Sequence, residues 1–169
     1  MNFNNFTTKS QEIIQKSQFL AQEFGHSKIE NEHIFKAILL VDKNVIPFLL
    51  KKTNINKDLV KTILDKELES FVIVSGAELS LTRETIKTLN EASIIAKKMS
   101  DEFVSVEHIV MAIFKSKSKI AQVLKDQGMT LKDLKAAINE LRKGKKVTSQ
   151  NAEETYNSLS KYANNLNQM

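Results

Sequence analysis

The chain has 169 residues, of which 41% are hydrophobic and 27% are charged, and its formal net charge is +5. This composition is typical of a folded protein and argues against intrinsic disorder. The absence of cysteine excludes disulfide bonds, a thiol nucleophile and thiolate metal sites.

The amino-terminal residues 1–6 contain neither a basic segment nor an apolar run, so they lack the pattern of a signal peptide. The longest apolar runs elsewhere are too short to span a bilayer. We therefore expect a soluble, cytoplasmic protein that has no membrane partner.

Four helices are predicted in residues 1–70. The first begins at a capping box, Thr8-Lys9-Ser10-Gln11, and ends at Gly25. The second begins near Glu30, where acidic residues in the first turn suit the helix dipole. In both helices apolar residues recur at steps of three and four, which predicts one buried stripe.

The third and fourth helices of this unit are shorter. Residues 45–51 form one helix, in which Pro47 is tolerated only because it falls in the first turn. Residues 56–69 form the other, with Leu59 and its neighbours Ile63 and Leu64 expected to face inward.

Residues 71–80 are a connector that begins Phe-Val-Ile-Val. This run suits a strand, but the sequence shows no second strand with which it could pair. We expect an extended segment whose apolar side chains lie along the seam between the two halves of the chain.

Residues 81–143 repeat the first unit at a constant spacing of 75 positions. The clearest match places Glu32-His33-Ile34 on Glu107-His108-Ile109, and the register holds over some 60 residues. An internal duplication follows. We therefore predict an all-α fold, a pseudo-twofold duplication of a four-helix unit with eight helices in total.

The last segment, residues 144–169, is polar and rich in Asn and Ser. Tyr156, Leu159, Tyr162, Ala163 and Leu166 recur at helical spacing, which indicates an amphipathic helix without a partner in this chain. We expect a linker that leads toward a further module.

Neither metal binding nor catalysis is favoured by the motifs. Glu30-Asn31-Glu32-His33 has the Glu-x-x-His spacing of di-metal bundles, but the second repeat offers Ser105 where the second Glu is required. His33 and His108 are instead expected to pack or cap at the starts of equivalent helices. With no nucleophile and base in a recognisable pattern, we expect no enzyme activity and no cofactor.

The positive charge is scattered rather than clustered. Lysines near residues 115–119 and 142–146 lie at predicted helix ends, where cations suit the helix dipole. No dense basic block of the kind found in nucleic-acid-binding arms is present. We therefore expect no nucleic-acid partner.

The doubled unit resembles a known family. Phe6-Thr7-x-x-Ser10-Gln11, Ile29-x-x-Glu32-His33-Ile34 and Val104-Ser105-Val106-Glu107-His108-Ile109 are similar to the amino-terminal domain of the Clp/Hsp100 AAA+ unfoldases. The resemblance covers residues 1–143, and residues 141–166 resemble the segment that leads into the first ATPase module of a bacterial disaggregase of this family.

The resemblance implies a substrate-engaging domain that binds exposed segments of unfolded or aggregated polypeptides and passes them to the pore of an AAA+ hexamer, which cooperates with an Hsp70 system. The isolated domain is expected to be monomeric. The alternative is an adaptor- or degron-binding domain of a proteolytic Clp relative. The tail favours the first interpretation.

The resemblance also implies four substrate-binding residues: Thr7, Leu89, Asp101 and Glu107. They are expected to surround a shallow apolar groove with an acidic edge. As a surface residue, Glu107 should tolerate replacement by alanine with a change in stability of no more than about 0.5 kcal/mol.

Overall fold

The computed structural model of the chain describes residues 2–156, which form nine helices. Their bounds are α1 Thr8–Glu23, α2 Asn31–Val41, α3 Val45–Lys52, α4 Lys57–Ser70, α5 Arg83–Lys98, α6 Val106–Lys115, α7 Lys119–Asp126, α8 Leu131–Arg142 and α9 Ala152–Thr155. Two short strands, β1 Lys28–Ile29 and β2 Ser80–Leu81, accompany them. The predicted all-α fold of two four-helix units is confirmed, and the short α9 is an addition to it.

Five helices begin at a side-chain cap. Thr7, Asn56, Thr82, Ser118 and Thr130 each accept a hydrogen bond from the backbone N–H three residues further along the chain. Each bond satisfies one of the free amides of a first turn. The cap of α1 at Thr7 lies one residue earlier than predicted.

The helices α2 and α6 each have a capping histidine in the first turn. His33 Nδ1 accepts a hydrogen bond from the Glu30 N–H at 2.9 Å, and His108 Nδ1 accepts one from the Ser105 N–H at 2.9 Å. The capping role predicted for both histidines is confirmed.

Crossed backbone pairing joins the two units. The strand β1 of the first unit runs parallel to β2 at the start of the second, and the Thr82 N–H donates to the Ile29 carbonyl at 3.2 Å. In the same way Phe6 bridges to Val104, and the Thr7 N–H donates to the Val104 carbonyl at 2.9 Å. The residues of one contact lie 75 positions from those of the other. The two contacts are therefore equivalents that the duplication relates.

The hydrophobic core is continuous across both units. The helix α1 packs on α2, α5 packs on α6, and α2 meets α6 between them. In α4 the buried residues are Val60, Leu64 and Leu68, whereas Leu59 is 47% exposed. The inward position predicted for Leu59 is wrong because the buried stripe follows four-residue steps that begin one position later. No helix within residues 2–156 combines the length and hydropathy that crossing a bilayer requires.

The connector between the units is only partly buried. Phe71 packs its ring against His26, with the ring centroids 5.5 Å apart. Val72 and Ile73 are each 75% exposed. The prediction that the apolar side chains of the connector lie along the seam is therefore wrong for Val72 and Ile73, whereas Leu79 packs against the core as Phe71 does. The Phe-Val-Ile-Val run forms no strand, as predicted, and the pairing with β1 lies at the end of the connector, where β2 begins at Ser80.

Residues 145–156, here called the strap, fold back onto the two units. Val147 is buried, and its carbonyl accepts a hydrogen bond from the Glu102 N–H at 2.8 Å. The Gln150 carbonyl accepts another from the Thr8 N–H at 2.9 Å. The predicted absence of a partner for the tail is wrong for this segment. Leu159, Tyr162, Ala163 and Leu166 of the predicted tail helix lie outside the described residues.

Candidate functional site

Thr7 caps α1 from a position that has no solvent exposure. Its Oγ1 accepts a hydrogen bond from the Ser10 N–H at 3.1 Å and donates one to Oε2 of Glu153 in the strap. The same Glu153 oxygen accepts from the Val106 N–H at 3.1 Å, at the first residue of α6. One carboxyl of the strap therefore ties the starts of α1 and α6 together.

Asp101 and Glu107 share one buried cation, Arg142, at the end of α8. Arg142 Nη1 donates to Asp101 Oδ2 at 2.8 Å, and its Nε donates to Glu107 Oε2 at 2.7 Å. Neither carboxylate side chain has any exposure, and that of Arg142 is 3% exposed. Each member depends on the others because removing one partner of a buried pair leaves an uncompensated charge.

His108 completes this cluster. Because its Nδ1 accepts the hydrogen bond from the Ser105 N–H, the proton of the neutral ring lies on Nε2. The Nε2–H then donates to Asp101 Oδ2 at 2.8 Å. The other Asp101 oxygen accepts from the Val147 N–H at 3.0 Å. Asp101 thus forms hydrogen bonds both to His108, at the start of α6, and to the backbone of the strap.

The surroundings of Asp101 favour its ionised form. Burial alone would raise the pKa of this carboxyl. Hydrogen bonds from His108, the Val147 amide and Arg142 act in the opposite direction and hold the pKa of Asp101 at about 2. The carboxylate therefore stays charged throughout the physiological range.

Glu153 is in the opposite situation. Burial raises its pKa, the hydrogen bond from Thr7 lowers it, and the charge of Glu107 raises it further, with a result of about 7. The carboxyl that holds the strap in place therefore takes up or releases its proton near neutral pH.

The four residues predicted to bind substrate, Thr7, Leu89, Asp101 and Glu107, are all buried. Leu89 lies in α5 with no exposure and belongs to the core. The predicted surface position of the two acids is wrong because both are enclosed by their ion pairs. Their role in substrate binding stays a prediction, and in this conformation it can only be indirect, through the helix starts and the strap that they hold.

Among the residues that the structure describes, the equivalent junction of the first unit contains no internal ion pair. His33 Nε2 lies 2.8 Å from His26 Nδ1, and both rings contact Phe71. Glu32 reaches into the second unit, where its Oε2 accepts a hydrogen bond from the Ile120 N–H at 3.0 Å, in the first turn of α7. This junction therefore serves the contact between the units.

An open groove of about 360 Å³ lies between α5, α6 and α8. Its apolar lining consists of Ile95, Met99, Met111 and Ile138, and its polar lining of Lys98, Lys115, Lys135 and Asn139. None of these side chains is a carboxylate, so the acidic edge predicted for an apolar groove is wrong here. The predicted residue Leu89 does not line it.

Sequence reasoning missed the residues that organise this region. Arg142 left a signal that the spacing of 75 hid, because the N-caps Asn56 and Thr130 lie 74 positions apart and its equivalent is the buried Leu68. A charged residue at the position of a core leucine indicates a place where the two units differ. Glu153 gave no comparable signal, since it lies in a helix of four residues, too short for a periodic pattern.

The sequence of residues 5–127 matches the family described as the Clp repeat (R) N-terminal domain. The chain therefore belongs to this family, whose repeat is the duplication seen in both the sequence and the fold.

Two relatives define its type more closely. The chaperone protein ClpB of Bacteroides thetaiotaomicron is 49% identical over 168 residues, which cover 99% of this chain and 20% of the relative. The Hsp104 N-terminal domain from Candida albicans has the same fold, with a TM-score of 0.75 at 21% identity, over 89% of this chain and 99% of that one. This is an N-terminal domain of the ClpB/Hsp104 type, and the chain spans about one fifth of the length of the curated relative.

The fold also recurs in a ClpV N-domain solved in complex with a VipB peptide. That structure has a TM-score of 0.69 at 15% identity and covers 81% of this chain and 86% of that one.

Proposed function

We propose that this chain is the substrate-engaging domain of an ATP-dependent protein disaggregase. It binds exposed segments of unfolded or aggregated polypeptides in the cytoplasm and delivers them to the pore of a hexamer. The proposal includes the AAA+ modules of that hexamer and a cooperating Hsp70 system because the chain resembles the N-terminal domain of ClpB chaperones. The observation that carries the proposal is the open groove with an apolar floor between α5, α6 and α8.

The groove suits weak binding of many sequences. An unfolded polypeptide exposes apolar side chains, and burying them on an apolar floor releases about 25 cal/mol for each Å² removed from water. Met99 and Met111 supply flexible thioether side chains, which adapt to partners of different shape. A dissociation constant of roughly micromolar to millimolar allows capture followed by release into a pore.

Two further points support a binding role. The ClpV relative shows that a domain of this fold can hold a peptide. His33 and His108, the side chains best suited to acid–base chemistry, are buried and engaged in helix capping. We propose that the domain binds its partner without altering it chemically.

The direct test is a titration of the isotopically labelled chain with a reduced and alkylated, permanently unfolded protein. We expect chemical-shift changes centred on the methyl groups of Met99 and Met111. Changes centred on another face, or none at millimolar concentrations, would contradict the proposed site.

A matched pair of variants sharpens this test. Met99→Glu places a charge in the groove and should weaken binding of the unfolded protein by about tenfold or more, since a charge is costly to bury against apolar side chains. Ile73→Glu makes the same kind of change on the exposed connector, which does not line the groove. It should leave binding unchanged. Stronger binding to a folded adaptor protein than to the unfolded one would favour the proteolytic alternative instead.

A further inference from the structure

The groove between α5, α6 and α8 carries charge of one sign. Its three ionisable lining residues are Lys98, Lys115 and Lys135. Lys115 donates to Glu91 Oε1 at 2.9 Å, so part of its charge is compensated. The other two are exposed and have no ion-pair partner among residues 2–156. An occupant of the groove therefore meets an apolar floor between two uncompensated cations, one on α5 and one on α8.

We infer that the groove selects apolar segments that are flanked by acidic residues, an inference that rests on the proposed function. The apolar side chains of such a segment lie on the floor formed by Ile95, Met111 and Ile138. Asp or Glu residues on either side of them meet Lys98 and Lys135. Segments flanked by Lys or Arg are repelled at the same two points.

Charge is the property of this groove that can discriminate among clients. Met99 and Met111 are unbranched and adaptable, so the floor accepts apolar side chains of different shapes with similar affinity. Fixed cations discriminate by sign, because like charges brought together disfavour the wrong partner. Opposite charges also raise the rate of encounter at low ionic strength.

Lys98 is particular to the second unit. At the spacing of 75 positions it corresponds to Glu23, which has the opposite charge. In α8 the spacing between equivalent residues is 74, because the N-caps Asn56 and Thr130 lie 74 positions apart, and Lys135 corresponds to Lys61. Of the two uncompensated cations, Lys98 therefore marks a difference between the two halves at the groove.

The test uses three peptides with one apolar core sequence, flanked on both sides by Glu, by Ser or by Lys. Their binding to the full chain is measured by fluorescence anisotropy of a terminal label. At low ionic strength we expect the Glu-flanked peptide to bind about tenfold more tightly than the Lys-flanked one, as two exposed charge contacts allow. In 1 M salt, where the screening length is about 3 Å, the difference should largely disappear.

Charge reversal identifies the cations responsible. The double variant Lys98→Glu/Lys135→Glu should abolish or invert the preference for the Glu-flanked peptide. Lys132→Glu changes an exposed lysine of α8 that does not line the groove, and it should preserve the preference. Equal sensitivity of the preference to Lys132→Glu would overturn the inference, because it would reflect net charge alone.

The Ser-flanked peptide separates the two levels of the proposal. If it binds at the groove but all three peptides bind equally, or the Lys-flanked peptide binds most tightly, the selectivity is overturned while the proposed function stands. If none of the three binds, the proposed function of the groove fails as well.

Discussion

In both repeats a histidine caps the start of the second helix, but the residues that surround this histidine differ in charge. In the second repeat His108 contacts Asp101, and Arg142 binds Asp101 and Glu107. In the first repeat the positions of Asp101 and Arg142 are taken by His26 and Leu68. The histidine cap is thus common to both, whereas its partners are ionised in one repeat and aromatic in the other.

This difference shows which features the duplication constrains. His33 lies at the position equivalent to that of His108, and burial, followed by the neighbouring His26, lowers its pKa to about 4. It is therefore neutral at physiological pH, as its contacts with the rings of Phe71 and His26 require. The cap and the apolar core are retained in both units, while the polar residues around the cap have diverged. Within residues 2–156 the strap docks on the ionised junction.

The largest expected effect comes from breaking the ionised junction. Arg142→Ala or Glu107→Ala should lower the free energy of unfolding by about 3–5 kcal/mol, because either change leaves a buried charge without its partner. This replaces the value of no more than about 0.5 kcal/mol that a surface position for Glu107 had suggested. Urea denaturation measures the effect, and Lys132→Ala on the exposed side of α8 is the control. A loss below about 1 kcal/mol for Glu107→Ala would contradict the buried triad.

The apolar core should respond alike in both repeats. Ile113 and Ile38 occupy equivalent positions 75 residues apart, and neither is exposed. Ile113→Ala and Ile38→Ala should each cost about 2–5 kcal/mol, because each leaves a cavity in a packed interior. Thermal and urea unfolding of the two variants would test the equivalence. A loss below about 1 kcal/mol at either position would mean that its helix face is less tightly packed than the structure indicates.

The free energy of unfolding should depend on pH through Glu153 of the strap. Its pKa is raised from 4.5 to about 7 in the folded chain, chiefly by burial, while Thr7 and Glu107 act in opposite directions. At low pH the buried carboxyl of Glu153 is neutral and does not oppose folding. As pH rises through 7 it ionises in a buried position, and the free energy of unfolding falls. The loss amounts to about 3 kcal/mol at about 1.36 kcal/mol per pKa unit.

Glu153→Gln isolates this effect. The variant keeps an oxygen for the Thr7 hydroxyl and the Val106 N–H but cannot ionise. The difference in free energy of unfolding between the variant and the original chain should grow in favour of the variant between pH 4.5 and 8. Other groups whose pKa changes on folding, such as His26 and His33, whose pKa values burial lowers, cancel in that difference. A difference that does not change with pH would show that Glu153 is not ionising in place.

The smallest expected effects come from removing the two equivalent N-caps, and the two losses of stability should differ. Thr82→Ala removes an N-cap and should cost about 1 kcal/mol. Thr7→Ala removes the equivalent cap and also the donor to Glu153, so its cost should be about 2 kcal/mol. Equal costs for the two would mean that the strap contributes nothing at Thr7. In the background of Glu153→Ala, the two substitutions should become similar.

The fold could be predicted from the sequence because it is encoded locally and twice. Helix starts such as Thr130 and breaks such as Gly25 are short-range signals, and the constant spacing showed which helices correspond. The errors at Leu59 and at Val72 have one cause. Which of two adjacent apolar positions is buried depends on the neighbouring helices, and periodicity does not specify those neighbours.

The site could not be predicted to the same degree, for a different reason. Thr7, Asp101 and Glu107 were expected at the edge of a groove because they match the substrate-engaging residues of the family that the chain resembles. Their burial depends on Arg142 and Glu153, which lie far along the chain and meet them only in the fold. The residues that line the observed groove were missed for a related reason, since Met99 and Met111 look like core positions until the gap beside them is seen.

The crossed backbone pairing has a consequence for how such a domain can come about. Thr7 uses an acceptor in the second unit, and Thr82 uses the equivalent acceptor in the first. Reciprocal contacts of this kind are those of an isologous dimer, in which two identical chains satisfy each other about a twofold axis. A single four-helix ancestor could have made the same bonds with a second copy of itself. Fusion through a connector would then have replaced a concentration-dependent association by an effective local concentration on the order of millimolar.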